Sequence, residues 1–560
     1  MRHLPTYFAL AALAPAVLGA QMPADLVLVN GTIYTVDKTR PVVSALAVAR
    51  GLILFAGSDP DAKALANAAT SVIDLHGATV VPGFTDAHAH LLGLGDMLRR
   101  VNLAGSSSYD EVIDRVKARA KDVKPGEWIR GRGWDQNRWP SKEFPTHDAL
   151  SRAFPNNPVV LERVDGHAYL ANAKAMELAR VSASTADPEG GRIIRLASGA
   201  PSGVFVDNAQ SLIDRAIPAS TRDDTRKAII AAIAECNRWG LTGIHDAGED
   251  AATIGIFEEL AKAGSYNLRN YVMLSDPGEP GSPAALGNPY LRRGPQSALY
   301  DGHLWIRAIK LYADGALGSR GAALLAPYAD EPANSGLLLS RPEHIRAWAD
   351  AALRSGFQVN VHAIGDRGNR VVLDAFESAL RAAPKPDHRF RIEHAQVLSA
   401  EDIPRFAKLG VIPSMQPTHQ TSDMGWAETR VGPQRIRGAY AWRSLLNTGV
   451  VIPSGTDFPV EEVNPLLTFH AAVTRQDPRN LPLGGWYPDQ KMTRDEALQS
   501  MTIWPAYAGF QESVLGSLTM GKYADFVVLD RDIMRIPDTE ILGTRVISTW
   551  IGGKRVYEAK

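Results

Sequence analysis

Two histidines separated by one residue, His88 and His90, close the run Val80-Val81-Pro82-Gly83-Phe84-Thr85-Asp86-Ala87-His88-Ala89-His90. On an extended backbone, residues i and i+2 project to the same face, so both imidazoles can hold one metal ion without a helix to space them. A bare His-x-His is common on solvated surfaces; one that ends a buried-looking strand points to further ligands downstream. Lys310, His362, His394 and Asp457 also sit at the ends of apolar, β-rich runs. Each alone has a plain structural alternative, because a lone histidine more often packs or is solvated, and Asp457 could cap a turn. Their joint placement argues against independent accidents. Neutral imidazoles and a carboxylate suit zinc and similar divalent ions, which acidify water and polarise carbonyl oxygens. Asp457 would accept the proton of that water and return it to a leaving nitrogen. Lys310 is the odd member: an ammonium has no lone pair, although a lysine buried among metal ions sheds its proton readily.

Such a constellation needs strands whose ends converge. Apolar β-rich runs alternate with helical stretches along the chain: Pro158–Arg163, Thr242–Asp246, Ile306–Leu311, Gln358–His362, Arg389–His394, Val411–Met415 and Val450–Asp457. With the opening run these make about eight β/α units, the count of a (β/α)8 barrel, whose active sites lie where the strands end. On that count Pro158–Arg163 is strand two and Lys310 ends strand four. No glycine-rich phosphate fingerprint follows the first strand, which disfavours an open dinucleotide-binding sheet. The interval 105–157 is longer than one crossover helix needs and reads as an inserted lobe. Trp128, Trp134 and Trp139 fall within it and read as its core.

Short β-branched runs broken by turn residues fill both ends of the chain, and Asn30-Gly31 is a hairpin signal. Neither end carries enough strands for a sheet of its own. Segments 21–81 and 511–560 are therefore expected to pair into one small β-sandwich flanking a barrel over 82–510.

The chain has 560 residues, 45% hydrophobic and 22% charged, with a net charge of -1. That is a globular composition with no basic field for nucleic acid or an anionic membrane. Residues 1–20 start with Arg2 and His3, continue through an apolar stretch to Gly19 and end on Ala20. This is the layout of a secretory signal peptide, too short to span a bilayer, and implies export to the periplasm or medium. Cys236 is the only cysteine, so no intrachain disulfide forms.

Taken together, His88-Ala89-His90, Lys310, His362, His394 and Asp457 in this order resemble the amidohydrolase superfamily. Ile309-Lys310-Leu311-Tyr312-Ala313-Asp314-Gly315-Ala316-Leu317-Gly318-Ser319-Arg320, Val361-His362-Ala363-Ile364-Gly365-Asp366 and Arg391-Ile392-Glu393-His394-Ala395 are similar to the signatures of its YtcJ-like branch, which includes N-substituted formamide deformylases. The resemblance covers essentially everything after the signal peptide. It implies two zinc ions per chain: one held by His88, His90 and Asp457, the other by His362 and His394, with a carboxylated Lys310 bridging them. It also implies a homodimer and a substrate-facing catalytic histidine after strand two, a part His167 fills unless it serves structure. The activity it implies is hydrolysis of a non-peptide C–N bond in a small amide or N-acyl compound, with Asp457 as general base and acid. An isomerase, an esterase or lactonase using the same centre, and a non-catalytic exported binding protein stay open. His245, Asp246, Asp314 and Arg320 either support the site or serve structure.

Overall fold

The computed structural model describes residues 22–136, 139–163, 168–188, 191–218, 220–318 and 320–560. The expected signal peptide lies outside them. Parallel strands pair in chain order: Phe84–Ala89, Leu241–Glu249, Arg269–Ser275, Leu304–Tyr312, Gln358–Ala363, Arg391–His394 and Ile412–Ser414. An eighth segment closes the ring. Ser454 bridges Met415 in parallel, Ala87 donates its amide to the Ser454 carbonyl at 3.0 Å, and Asp457 donates to the His88 carbonyl at 2.7 Å. The architecture is a (β/α)8 barrel.

Local sequence explains why its walls hold. The barrel strands bury Ile306, Ile309, Val359, Val361 and Ile392, the near-continuous apolar runs of strands covered on both faces. Helix Arg222–Arg238 starts on a reciprocal Thr221–Asp224 capping box and buries Ile229, Ala232, Ile233 and Cys236 along one stripe. Helix Asp366–Ala382 likewise buries Val372, Leu373, Phe376 and Ala379 along one stripe. Both stripes belong to the main hydrophobic core around the barrel. Among the described residues no helix is long and apolar enough to cross a membrane.

The structure corrects the strand count. Val159–Arg163 is not a barrel strand; it pairs with Ile129–Trp134 and Ala168–Ala171 inside a six-stranded sheet that begins at Val101–Asn102 and includes Pro201–Asp207 and Gly191–Arg195. The inserted lobe thus extends well past residue 157, between the first and second barrel strands. The barrel strand missing from the sequence reading is Arg269–Ser275. A buried lobe strand and a buried barrel strand carry the same apolar texture, so periodicity cannot separate them. Trp134 and Trp139 are buried in the lobe core, donating indole N–H groups to the Leu161 and Ser106 carbonyls at 2.8 and 3.1 Å.

Both chain ends form the β-sandwich. One sheet orders Leu52–Gly57, Ala45–Ala49, Leu26–Val29 and Ser71–Asp74; the other orders Lys554–Glu558, Val546–Ile551, Phe526–Leu529, Thr79–Pro82, Thr32–Tyr34 and Val42–Val43. Leu28, Leu46, Val80 and Phe526 share the core between them, with Trp550 stacked on Phe526 at 5.4 Å. The hairpin read at Asn30-Gly31 does not form. Asn30, at φ 57°, carries the chain from one sheet to the other, so its flanking strands never pair.

A buried ion pair ties the sandwich to the barrel. Arg269 on the third barrel strand donates through Nε and Nη2 to the Asp525 carboxylate, and through Nη1 to the Asp301 and Gly302 carbonyls at 3.0 and 2.8 Å. Asp525 also accepts from the Gly552 amide at 2.7 Å. Removing one member leaves the other buried and uncompensated. Asp525→Ala is expected to cost about 3–5 kcal/mol, measured as lost unfolding free energy in urea titrations.

Candidate metal centre

The barrel brings the six expected metal ligands to one end; the expected catalytic His167 lies outside the described residues. His88 and His90 end the first strand, Lys310 lies near the end of the fourth, His362 on the fifth and His394 at the end of the sixth. Asp457 follows the closing segment. His90 Nε2 is 3.1 Å and His88 Nε2 3.6 Å from Asp457 Oδ1. Lys310 Nζ is 3.4 Å from His88 Nε2. The His394 ring lies 4.8 Å from that of His88 and 4.5 Å from that of His362. Ligand atoms of His88, His394 and Asp457 all fall within 4.8 Å of one another, close enough to converge on one divalent ion.

The arrangement carries backbone strain that its surroundings hold in place. His394, Ala395 and Asp457 take positive φ values of 74°, 41° and 59°. Side chains rarely accept that region, at about 1–3 kcal/mol each, unless the surroundings impose it. At Asp457 the imposing contacts come from the first strand. A Cβ on Gly455 would stand 2.5 Å from the His88 amide nitrogen, so only glycine lets the two segments approach. Asp86 then accepts from the Thr456 amide and, at 2.7 Å, from its hydroxyl.

Carboxylate and amide partners orient the imidazoles. Glu393 Oε2 accepts from His88 Nδ1 at 2.5 Å, leaving the Nε2 lone pair toward the cluster. Gln416 does the same for His394: its Oε1 accepts from Nδ1 at 2.7 Å while its amide nitrogen faces the Ser414 carbonyl. Sequence reading assigns neither of these orienting roles, although Glu393 directly precedes His394 and Gln416, two residues past the seventh strand, stands where a pocket-facing role is open. Glu393 is itself paired with the fully buried Arg391, whose Nε lies 2.8 Å from its Oε1.

Electrostatics keep the donors in their ligating forms. Burial, then the Lys310 charge, pushes the His88 imidazole down to about 4 and that of His362 to about 3. Burial and neighbouring imidazoles hold His394 far below its ordinary range. Burial acts to raise Asp457, but the hydrogen bond from His90 and the surrounding imidazoles outweigh it and keep the carboxylate ionised. Neutral imidazoles beside an ionised carboxylate are the donor set a divalent cation requires.

The remaining candidates separate cleanly. His245 accepts from Arg391 Nη1 at 2.7 Å through Nδ1, so it braces the Arg391–Glu393 pair. Asp246 accepts from the Leu91 amide and the Asn270 side chain at 3.0 and 3.1 Å, fixing the turn after His90. Asp314 takes backbone amides of Ala323, Ile364 and Gly365 at 2.8–2.9 Å, pinning the loop after Lys310 to the end of the fifth strand. Arg320 pairs with Asp330 at 2.8 Å in that loop. His419, absent from the sequence reading, reaches to 3.9 Å from Asp457 Oδ2.

Two outcomes follow from this geometry. Because the folded imidazole of His88 titrates near 4 against an ordinary 6.5, the unfolded chain takes up the proton first as pH falls. Metal-free protein should therefore be at full stability above about pH 6.5 and lose on the order of a few kcal/mol toward pH 4, read by urea unfolding across that window. Glu393→Gln should weaken zinc binding about 10–100-fold, measured by competition with a chromogenic chelator.

The family model described as "Amidohydrolase family" matches residues 71–557. LONG AFTER FAR-RED 3 of Arabidopsis thaliana is 35% identical, over 96% of this chain and 92% of its own length. The putative amidohydrolase YtcJ of Bacillus subtilis is 32% identical over 94% and 98%, and the N-substituted formamide deformylase of Arthrobacter pascens 29% over 95% and 98%. Among solved structures, an uncharacterised metal-dependent hydrolase from Pyrococcus furiosus superposes with a TM-score of 0.74 at 30% identity, covering 91% of this chain and all of that one. By sequence over nearly its whole length, and by a barrel carrying a histidine–aspartate cluster at its strand ends, the chain belongs to the amidohydrolase family.

Proposed function

We propose that this amidohydrolase cleaves a non-peptide C–N bond in a small amide or N-acyl compound. The position of the Asp457 carboxylate, buried against His88 and His90 and within one cluster with His394, supports this most strongly. The whole-length similarity to a formamide deformylase supports an amide over other carbonyl substrates. His88, His90 and Asp457 would hold one zinc ion and His362 and His394 a second, with Lys310, carboxylated by carbon dioxide, shared between them. When bound, the metal polarises the acyl oxygen and acidifies water at neutral pH. Asp457 takes the proton of the attacking water and passes it to the nitrogen lone pair as the C–N bonding electrons leave with nitrogen. The products are a carboxylate and an amine. Glu393 and Gln416 keep His88 and His394 from rotating during turnover.

A panel of formamides, N-acyl amines, lactams and esters, assayed with zinc-loaded enzyme, tests this. Turnover of at least one amide is expected. It should fall about 10²–10⁴-fold in Asp457→Asn, vanish after stripping with a strong chelator and return with zinc. Full amide hydrolysis by thoroughly stripped protein, or turnover of esters alone, would overturn it.

A further inference from the structure

One buried group at the centre is left without a task. His419 lies in the helix Pro417–Asp423 just beyond the seventh barrel strand and is 9% exposed. Its Nε2 finds no hydrogen-bond partner among the described residues. Leaving a buried imidazole nitrogen unpaired is unfavourable, and native structures seldom do so without a reason. Asp457 Oδ2 is the carboxylate atom it faces, at 3.9 Å, too far for a direct hydrogen bond. An atom standing about 2.8 Å from each would bond to both. The His394 ring lies nearly parallel to that of His419, 5.8 Å away with 18° between planes, so the imidazole stands within the cluster beside Asp457.

The bridging atom must offer a different face to each partner. In the tautomer with hydrogen on Nδ1, Nε2 is an acceptor and needs an N–H or O–H. Asp457, once it carries the proton of water, needs a lone pair. The nitrogen of a secondary amide at the point of C–N cleavage has both: one hydrogen to donate and one lone pair to receive a proton. An ester oxygen or an N,N-disubstituted amide lacks the hydrogen.

We propose that His419 Nε2 accepts a hydrogen bond from the N–H of the scissile bond, and so selects secondary amides over tertiary amides and esters. This rests on the amide hydrolysis proposed above. In the step itself the Asp457 proton goes to the nitrogen lone pair, the C–N electrons stay with nitrogen, and the original N–H remains on the departing primary amine, held by His419. A site built to pair an N–H penalises the analogue lacking it far more than an apolar pocket penalises a lost methylene.

The test compares the best secondary amide of the panel with its N-methyl derivative on zinc-loaded enzyme. N-methylation should lower kcat/KM about 100-fold in the wild-type enzyme but less than about threefold in His419→Ala, and His419→Gln, whose amide oxygen can accept, should recover about tenfold. Zinc content and Tm of His419→Ala should match the wild type. Calorimetry supplies a readout independent of turnover. N-benzyl methylphosphonamidate, which carries an N–H on a tetrahedral centre, should bind His419→Ala about tenfold more weakly than wild type, whereas its N-methyl form should bind both alike. Equal losses on both substrates, a lowered Tm, or loss of zinc would assign His419 to structure or to the metal and overturn the proposal. A wild-type enzyme inactive on every amide removes the hydrolytic reading itself. The calorimetric pair then still decides whether His419 senses the N–H.

Discussion

A fully buried guanidinium sits beneath the metal centre, and the centre depends on it. Arg391 bonds to His245 on the second strand, to the Ala87 carbonyl on the first, to Ser414 on the seventh and to Glu393 on its own. Taking such a charge out of water is costly and is offset only when every donor finds a partner in good geometry. The barrel interior therefore has little freedom: the strands that carry His88 and His394 must sit where Arg391 can reach them all. Through Glu393 the same group fixes the ring of His88, so packing in the barrel and ligand orientation are one constraint.

Closure of the ring supplies the second constraint. The short segment ending at Asp457 is held to the first strand by Asp86, by the Asp457–His88 backbone bond and by the close approach that Gly455 permits. These contacts hold Asp457 at a positive φ and keep its carboxylate beside His88 and His90. Burial makes the imidazoles poor bases and their lone pairs available, while the hydrogen bond from His90 holds the Asp457 carboxyl below the usual carboxylate range. Asp314 extends this logic outward by locking the loop after Lys310 against the fifth strand.

Much of this was legible in sequence because period and position carry it. The i, i+2 pair of His88 and His90 needs only an extended backbone, and Lys310, His362, His394 and Asp457 each follow an apolar run. The sandwich at the two ends was readable from β-branched texture and turn residues. What failed did so for physical reasons. Val159–Arg163 looked like a barrel strand because lobe and barrel strands are equally buried. Arg269–Ser275 carries no such signal because it opens on two polar residues, Arg269-Asn270, and the carboxylate that pairs with Arg269, Asp525, lies 256 residues along the chain. His419 carries no local pattern, and only its approach to Asp457 in three dimensions gives it meaning. Glu393 was visible within its motif, but its bond to His88 spans 305 residues.

On the proposed function, His88, His90, Lys310, His362, His394 and Asp457 together would hold the metal of this amidohydrolase. Anomalous diffraction at the zinc edge from crystals of the zinc-loaded protein tests it most directly. Strong peaks enclosed by these side chains are expected, with density extending from Lys310 Nζ as a carbamate. Zinc bound elsewhere, or this cluster without a peak in protein that hydrolyses amides, would contradict it.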